Sequence, residues 1–242
     1  MMRCAIMQPT YLPWLGYFDL INQVDIFVLL DNVKLEKSSW HVRNRIRSSQ
    51  GETVLTIPVI LQKSRLESKI NDTRINDSKP WRAKHLRTLE QSYSKSFYFN
   101  DFYPCLYEAL SKETHILSDY TSNIIRQMAL YLGIKTPIYL SSELNNITGV
   151  RDQRLTSICN HFDADTYYSP KGSAIYLDKE NYGGALTNAG IKVIYQDFVP
   201  VEYTQSYEPF IPYLSAVDAA FNCYPNEVLN LINQGCLTDW TK

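Results

Sequence analysis

The chain has 242 residues, of which 45% are hydrophobic and 20% charged. These figures suit a globular protein with a core of its own and exclude a disordered chain, a collagen-like fibre, a coiled coil and a disulfide miniprotein. The formal net charge of −1 hides an asymmetry: residues 34–87 hold 13 of the 24 Lys and Arg but five of the 25 Asp and Glu, so this segment is +8 and the rest −9. A basic concentration inside a near-neutral protein points to an anionic ligand held at one place. A sequence pI of about 6.4 argues against tracking of a long nucleic acid. Solvated charges with acidic partners elsewhere in the chain are the other reading of the same segment.

The five cysteines (Cys4, Cys105, Cys159, Cys223 and Cys236) are odd in number, widely spaced and form no CxxC, so reduced thiols are expected rather than a disulfide framework. The four histidines form no HxxxH pair, and no zinc site or other metal is predicted. Gln8 and Pro9 interrupt the N-terminal apolar run before a signal sequence develops, and no run approaches the ~18 apolar residues of a membrane span. The expected location is the cytoplasm.

In chain order, Arg3 to Gln8 reads as a first strand, Pro9 and Pro13 force a loop, and Gly16 to Asn22 forms a short helix. Asp25 to Asp31 is apolar on both faces between two acids, the pattern of a buried parallel strand. Val54 to Val59 reads as a strand, Lys79 to Tyr93 as a helix opened by Pro80, and Ile116 to Leu132 as a helix stopped by Gly133. Thereafter the order is strand (Pro137 to Leu140), helix (Asp152 to Phe162), strand (Thr166 to Ser169), helix (Leu177 to Ala189, closed by Gly190) and strand (Ile191 to Gln196), followed by helical segments around Val217, Phe221 and Val228 to Ile232. This alternation predicts an α/β fold, a mostly parallel sheet flanked by helices, as one domain over residues 1–242 with a helical insertion at about 79–133. Sites in such folds lie at the carboxyl ends of the strands, here at Gln8, Asp31, Ser141, Ser169 and Gln196 or Asp197.

Three segments carry possible chemistry. In Gln8-Pro9-Thr10-Tyr11-Leu12-Pro13-Trp14-Leu15-Gly16-Tyr17-Phe18, two prolines stiffen a loop on which Gln8, Tyr11 and Tyr17 offer polar tips on flat groups. That suits a nucleotide or a sugar, and suits equally a rigid loop packing its aromatics on the core. From Asp31 onward come Lys34, Lys37, Trp40, His41, Arg43, Asn44, Arg45 and Arg47, with the three arginines alternating. In an extended chain they share a face, where a phosphate or pyrophosphate would fit their fork geometry; a basic exposed strand is the alternative. Last, Ser169-Pro170-Lys171-Gly172-Ser173 is a turn whose amides and Lys171 charge would cradle an anion, without the spacing of a P-loop. Further on, Tyr203 and Gln205 share one face if extended, and Asp218 stands alone in an apolar helix pattern. Folding of this segment onto the basic strand would pair Asp218 with an arginine or Lys37 and bring Gln205 to the ligand.

The strings Gln8-Pro9-x-Tyr11-x-Pro13-x-x-Gly16-Tyr17-Phe18, Asp25-x-Phe27-Val28-x-x-Asp31 and Lys37-x-x-Trp40-x-x-Arg43-Asn44-Arg45-Ile46 resemble the WbqC-like family of bacteria. The later Ser141-Ser142, Arg154-Leu155-x-x-Ile158-Cys159, Tyr168-Ser169, Tyr176-Leu177, Tyr203-x-Gln205 and Ser215-x-x-Asp218-x-x-Phe221-Asn222 extend the resemblance over nearly the whole chain. It implies a place in O-antigen or other surface-polysaccharide pathways and hands over no catalytic residue. The expected function is a transferase of that biosynthesis acting on a nucleotide-linked amino sugar by acyl or aminoacyl transfer, with Asp31 or Asp218 as general base. The alternatives are a nucleotidyl or adenylyl transferase with a HIGH-like layout, although the loop lacks both histidines of that motif, and a non-catalytic sugar-nucleotide-binding protein. The expected partner is a nucleotide-linked sugar or another phosphorylated small molecule; the residues name no cofactor.

Overall fold

The computed structural model describes residues 1–36, 39–61 and 68–241. Strand β1 (Arg3–Met7) leads through the aromatic loop to α1 (Leu15–Asn22) and β2 (Ile26–Leu29). An antiparallel hairpin of β3 (Arg43–Ser48) and β4 (Gly51–Thr56) follows, then the short pair β5 (Val59–Ile60) and β6 (Arg74–Ile75). Helices α2 (Trp81–Tyr93), α3 (Phe99–Ser111) and α4 (Leu117–Tyr131) come next. Strand β7 (Ile138–Leu140), α5 (Asp152–His161), β8 (Thr166–Ser169), α6 (Ala174–Leu177), α7 (Gly184–Asn188), β9 (Lys192–Tyr195), α8 (Ala216–Asn222) and α9 (Pro225–Gly235) complete the order. The fold is α/β: one five-stranded sheet in the order β7-β2-β1-β8-β9, parallel throughout, flanked by helices.

The apolar runs that predict these strands are buried on both faces because helices cover both. Ala5, Phe27, Tyr168 and Ile194 face one cluster, shared with α1, α2, α3, α4, α8 and α9. Cys4, Ile6, Val28, Tyr167 and Val193 face the other, shared with α5 and α7. The chain runs outward from β1 to β7 on one side, returns, and runs from β8 to β9 on the other, so the strand order reverses between β1 and β8.

Residues between β2 and β7 carry the hairpin and the three helices, which lie within the 79–133 span expected to be helical. Phe221 of α8 ties them to the sheet layer: its ring stacks on Tyr93 at 4.5 Å between centroids and meets Phe102 edge-on at 4.9 Å. Pro104 lies inside α3 and withholds the amide that would reach the Asn100 carbonyl, so this helix gives up one internal hydrogen bond.

The helix expected from Leu177 to Ala189 is instead two short pieces, α6 and α7. Gly183 and Gly184 break it with φ of +74° and +55°. The break lets α7 approach α5: the Ala185 amide donates to Asp152 Oδ2 at 3.0 Å, and a Cβ on Gly184 would stand 2.7 Å from the same oxygen and 2.9 Å from the Leu177 carbonyl oxygen. Gly190, also left-handed at φ +80°, has open space where a Cβ would go. Gly184→Ala should therefore destabilise the protein by about 2–4 kcal/mol and Gly190→Ala by about 1–2 kcal/mol, the strain alone. Urea denaturation of both variants checks the difference; equal losses would mean that the contact with Asp152 contributes nothing.

Candidate functional site

A cleft of about 1070 Å³ opens over the carboxyl ends of β1 and β2, on the face of the sheet covered by α5 and α7. Gln8, one residue beyond β1, and Asn32, beyond β2, form its floor. Among the described residues five cations line it: Lys34, Lys69, Arg151, Arg154 and Lys179. Two carboxylates, Asp152 and Glu180, stand against them, leaving the wall strongly positive. Lys34 and Lys69 lie on segments joined by an antiparallel bridge. Arg151, at φ +52°, caps the ten-residue α5, so the positive end of that helix's dipole adds to the wall. Arg154 reaches across from α5 to donate to Asn32 Oδ1 at 3.3 Å, and its buried Nε has no protein acceptor. Val150 and Tyr176 supply exposed apolar surface on the same wall.

A second cavity, about 300 Å³, lies beside the aromatic loop on the other face of β1. Trp14, Tyr17, Trp40 and Tyr213 wall it, with Met7, Thr10, Asn44 and Arg45. The Arg45 guanidinium binds both oxygens of Glu52 at 2.9 and 3.0 Å and donates to the Tyr213 carbonyl. Asn44 holds the aromatic loop in place: its Nδ2 donates to the carbonyls of Tyr11 and Leu12.

The residues expected to bind one ligand are thus divided. Gln8 lines the cleft, whereas Tyr17, Trp40, Asn44 and Arg45 line the aromatic pocket. Arg43 shares the exposed face of β3 with Arg45, its guanidinium 5.9 Å from the Trp40 ring. Arg47, on the same face, is covered by the segment 207–209 and donates to three of its carbonyls. Tyr11 is fully buried and meets His85 Nδ1 at 2.9 Å. Ser169 is buried at the end of β8, Lys171 is exposed and paired with Asp197 at 2.8 Å, and neither these two nor Ser173 line either cavity. Lys37 lies outside the described residues.

Neither carboxylate expected to act as a base lines a cavity. Asp31 is 1% exposed and accepts from Ser141 Oγ and the Ser142 amide, both at 2.9 Å, and from Ser142 Oγ, which joins the ends of β2 and β7. Asp218 is fully buried and accepts from Tyr93 at 2.8 Å, Tyr203 at 2.7 Å and Gln205 at 2.9 Å. The C-terminal segment does return to β3, since the Ser215 amide donates to the Arg45 carbonyl, but Asp218 meets hydroxyls and an amide there instead of a cation. Burial pushes His41 and His85 down to about 4, leaving both neutral at pH 7. Among the described residues no group of His, Cys, Asp and Glu is placed to hold a metal ion.

Arg151, Asp152, Lys69, Lys179 and Glu180 were not singled out by the sequence. The usable signal was the Gly149-Val150-Arg151-Asp152 string, a strand-to-helix loop carrying a cation at the carboxyl edge of the sheet. Lys69 and Lys179 carry no such mark, because only the fold brings them to the cleft.

The profile of the WbqC-like protein family matches residues 8–230. The chain belongs to the WbqC-like family. It is also 34% identical over 224 residues, 92% of this chain and 94% of the relative, to the uncharacterized protein Rv1507c of Mycobacterium tuberculosis (strain ATCC 25618 / H37Rv). No solved structure matches it. In this WbqC-like chain the Ser215-x-x-Asp218-x-x-Phe221 string builds the buried network and the α8 stack, while Arg154 of Arg154-Leu155 reaches the cleft.

Burial holds the Asp218 carboxyl above its ordinary range, against the opposing pull of the Tyr203, Tyr93 and Gln205 donors and of the Arg47 charge. A raised value in the folded state means that the native chain binds this proton more tightly than the unfolded chain. The resulting stability is complete below the ordinary aspartate value of 3.8 and is lost as pH rises through the folded-state value. Asp19, buried in α1 against Tyr168 and Gln196, is shifted the same way. Asp218→Asn, which cannot ionise, should flatten the decline of the urea midpoint as pH rises above 3.8, leaving the Asp19 share. A pH profile identical to the parent's would show that Asp218 titrates as it does in the unfolded chain.

Proposed function

We propose that the protein binds a nucleotide-linked sugar, by its phosphates, in the basic cleft and acts as a transferase of surface-polysaccharide synthesis in the cytoplasm. The observation that carries this reading is the cleft itself: a cavity of about 1070 Å³ lies at the carboxyl ends of parallel strands, with five cations and the first turn of α5 on its wall. Its volume is ample for a nucleoside diphosphate with a sugar attached, since small-molecule sites run to roughly 300–1,000 Å³. Arg151 and Arg154 offer planar forks that suit phosphate oxygens, and Lys34 and Lys69 add point charges from the opposite segments. Family membership supports the pathway, and the five free thiols suit a reducing compartment.

For acyl transfer to a sugar amine, a proton leaves the nitrogen as the N–C bond forms and the leaving group departs with its electron pair. We assign the proton to Asp152, which lines the cleft and has one oxygen held by the Ala185 amide. Asp31 and Asp218, enclosed and fully hydrogen-bonded, hold structure on this reading.

The test is a thermal-unfolding panel with uridine, uridine diphosphate, inorganic pyrophosphate and uridine-diphosphate-linked amino sugars. Binding to the native state alone stabilises by about 2.7 kcal/mol at 100-fold saturation. The diphosphates should raise the midpoint, the neutral nucleoside should not, and Arg154→Ala and Lys34→Ala should each reduce the shift. An equal shift with uridine, or shifts undiminished in both variants, would overturn the assignment.

A further inference from the structure

We propose that the aromatic pocket is a second, separate sugar-binding site, taking a neutral pyranose ring. The preference for a neutral ring rests on the pocket alone and not on the reading of the cleft given above.

The pocket's lining makes the first argument. Four aromatic rings (Trp14, Tyr17, Trp40 and Tyr213) wall about 300 Å³, the lower end of small-molecule sites and the scale of a single ring. The apolar C–H face of a pyranose packs on such rings, and its hydroxyls need a few fixed polar groups, here Thr10, Asn44 and Arg45.

Charge makes the second. Arg45 is the cation of this pocket among the described residues, and its Nη1, bonded to both oxygens of Glu52, pairs it with a carboxylate, so the pocket lacks the excess positive charge that a phosphate would require. Asn44 and Thr10 add neutral polar groups to the same wall, which suit ring hydroxyls or an N-acyl carbonyl.

Backbone conformation is the third. Tyr213, a bulky residue, is held at φ +59°, a region that costs of order 1–3 kcal/mol, with its carbonyl bonded to Arg45 and its ring 5.5 Å from that of Trp14. The conformation presents a half-exposed ring to the pocket while Leu214 and Ser215, which follow it, are buried.

Position joins the two cavities. Met7 ends β1 facing the aromatic pocket, and Gln8, the next residue, lines the cleft. The sites thus stand on opposite sides of one short stretch of backbone, and the Tyr17 hydroxyl bonds the Gln8 carbonyl across it at 3.0 Å.

The test uses the full-length protein and tryptophan fluorescence, because Trp14 and Trp40 line the pocket and no tryptophan lines the cleft. Titration with methyl glucopyranoside and methyl N-acetylglucosaminide should give a saturable change. Trp40→Ala should weaken binding, followed by saturation-transfer NMR, by about tenfold. Tyr213→Gly removes the ring while relaxing the left-handed strain, so it should lose binding with an unfolding midpoint no lower than the parent's. Arg154→Ala should leave glycoside binding unchanged and weaken pyrophosphate binding; the pocket variants should do the reverse. Glycoside binding without diphosphate binding would refute the reading of the cleft and leave the pocket standing. No saturable change, or affinity unaltered in both Trp40→Ala and Tyr213→Gly, would overturn the proposal.

Discussion

Everything around the two cavities depends on the period of two in β1. This strand is paired on both edges and buried on both faces, with Cys4 and Ala5 fully enclosed, so its side chains alternate between the two cores until the strand stops at Met7. The alternation carries one step past the last ladder residue. Met7 and Gln8 leave the sheet toward opposite faces, and the chain between and beyond them forms a ridge with a cavity on each flank. The reversal of strand order beside β1 keeps this ridge clear of a crossover helix on the cleft side.

Buried carboxylates fix the walls without entering either space. Asp31 ties the end of β2 to the end of β7, and the segment Asn32–Lys34 starts from that anchored point along the cleft. Asp218 ties α8 to Tyr93 of α2 and to Tyr203 and Gln205, and so seats the segment that carries Tyr213. The Tyr93 hydroxyl, while donating to Asp218, accepts the Arg47 amide and thereby fixes β3, the strand of Arg45. Each carboxylate is met by hydroxyl or amide donors and not by a directly bonded cation. This arrangement avoids confining two charges, whose desolvation often outweighs their attraction. Removing one partner would still leave enclosed donors unmet, a loss of about 1–3 kcal/mol apiece.

Sequence patterns revealed the fold because its strands are buried in runs too apolar for an exposed edge and too short for a membrane. Asp25 to Asp31 and Ile191 to Gln196 are such runs, and the helices between them carry clear stops at Gly133 and Gly190. The Leu177–Ala189 segment misled because two adjacent glycines read as tolerated interruptions until α5 is seen against them. The candidate site was legible in its local part only. Gln8, Tyr17, Trp40 and Arg45 were marked by composition, and β3 is extended, so its arginines do share a face. Asp31 and Asp218 stood out because an acid within an apolar pattern is conspicuous, but that conspicuousness reports burial, and burial serves a structural bond as readily as a reaction. Lys69, Arg151 and Lys179 are ordinary surface cations in the sequence; their convergence is a property of topology.

The two cavities differ in kind, and the difference bears on what each could hold. The cleft sets five cations against two carboxylates and keeps an excess of positive charge, whereas the pocket's one guanidinium is met by one carboxylate, diagonally across β3 and β4, and keeps none. A charged and a neutral substrate would therefore sort themselves by electrostatics before any detailed fit, since a diphosphate gains little beside a neutralised arginine and an uncharged ring gains nothing from lysines. The separating element is the backbone of Gln8-Pro9-Thr10, held by the Tyr17 hydroxyl from one side and, through Asn44 on the carbonyls of Tyr11 and Leu12, from the other. A proline and three hydrogen bonds leave that ridge little freedom, so the distance between ligands held on its two sides would be set by the protein and not recovered from diffusion.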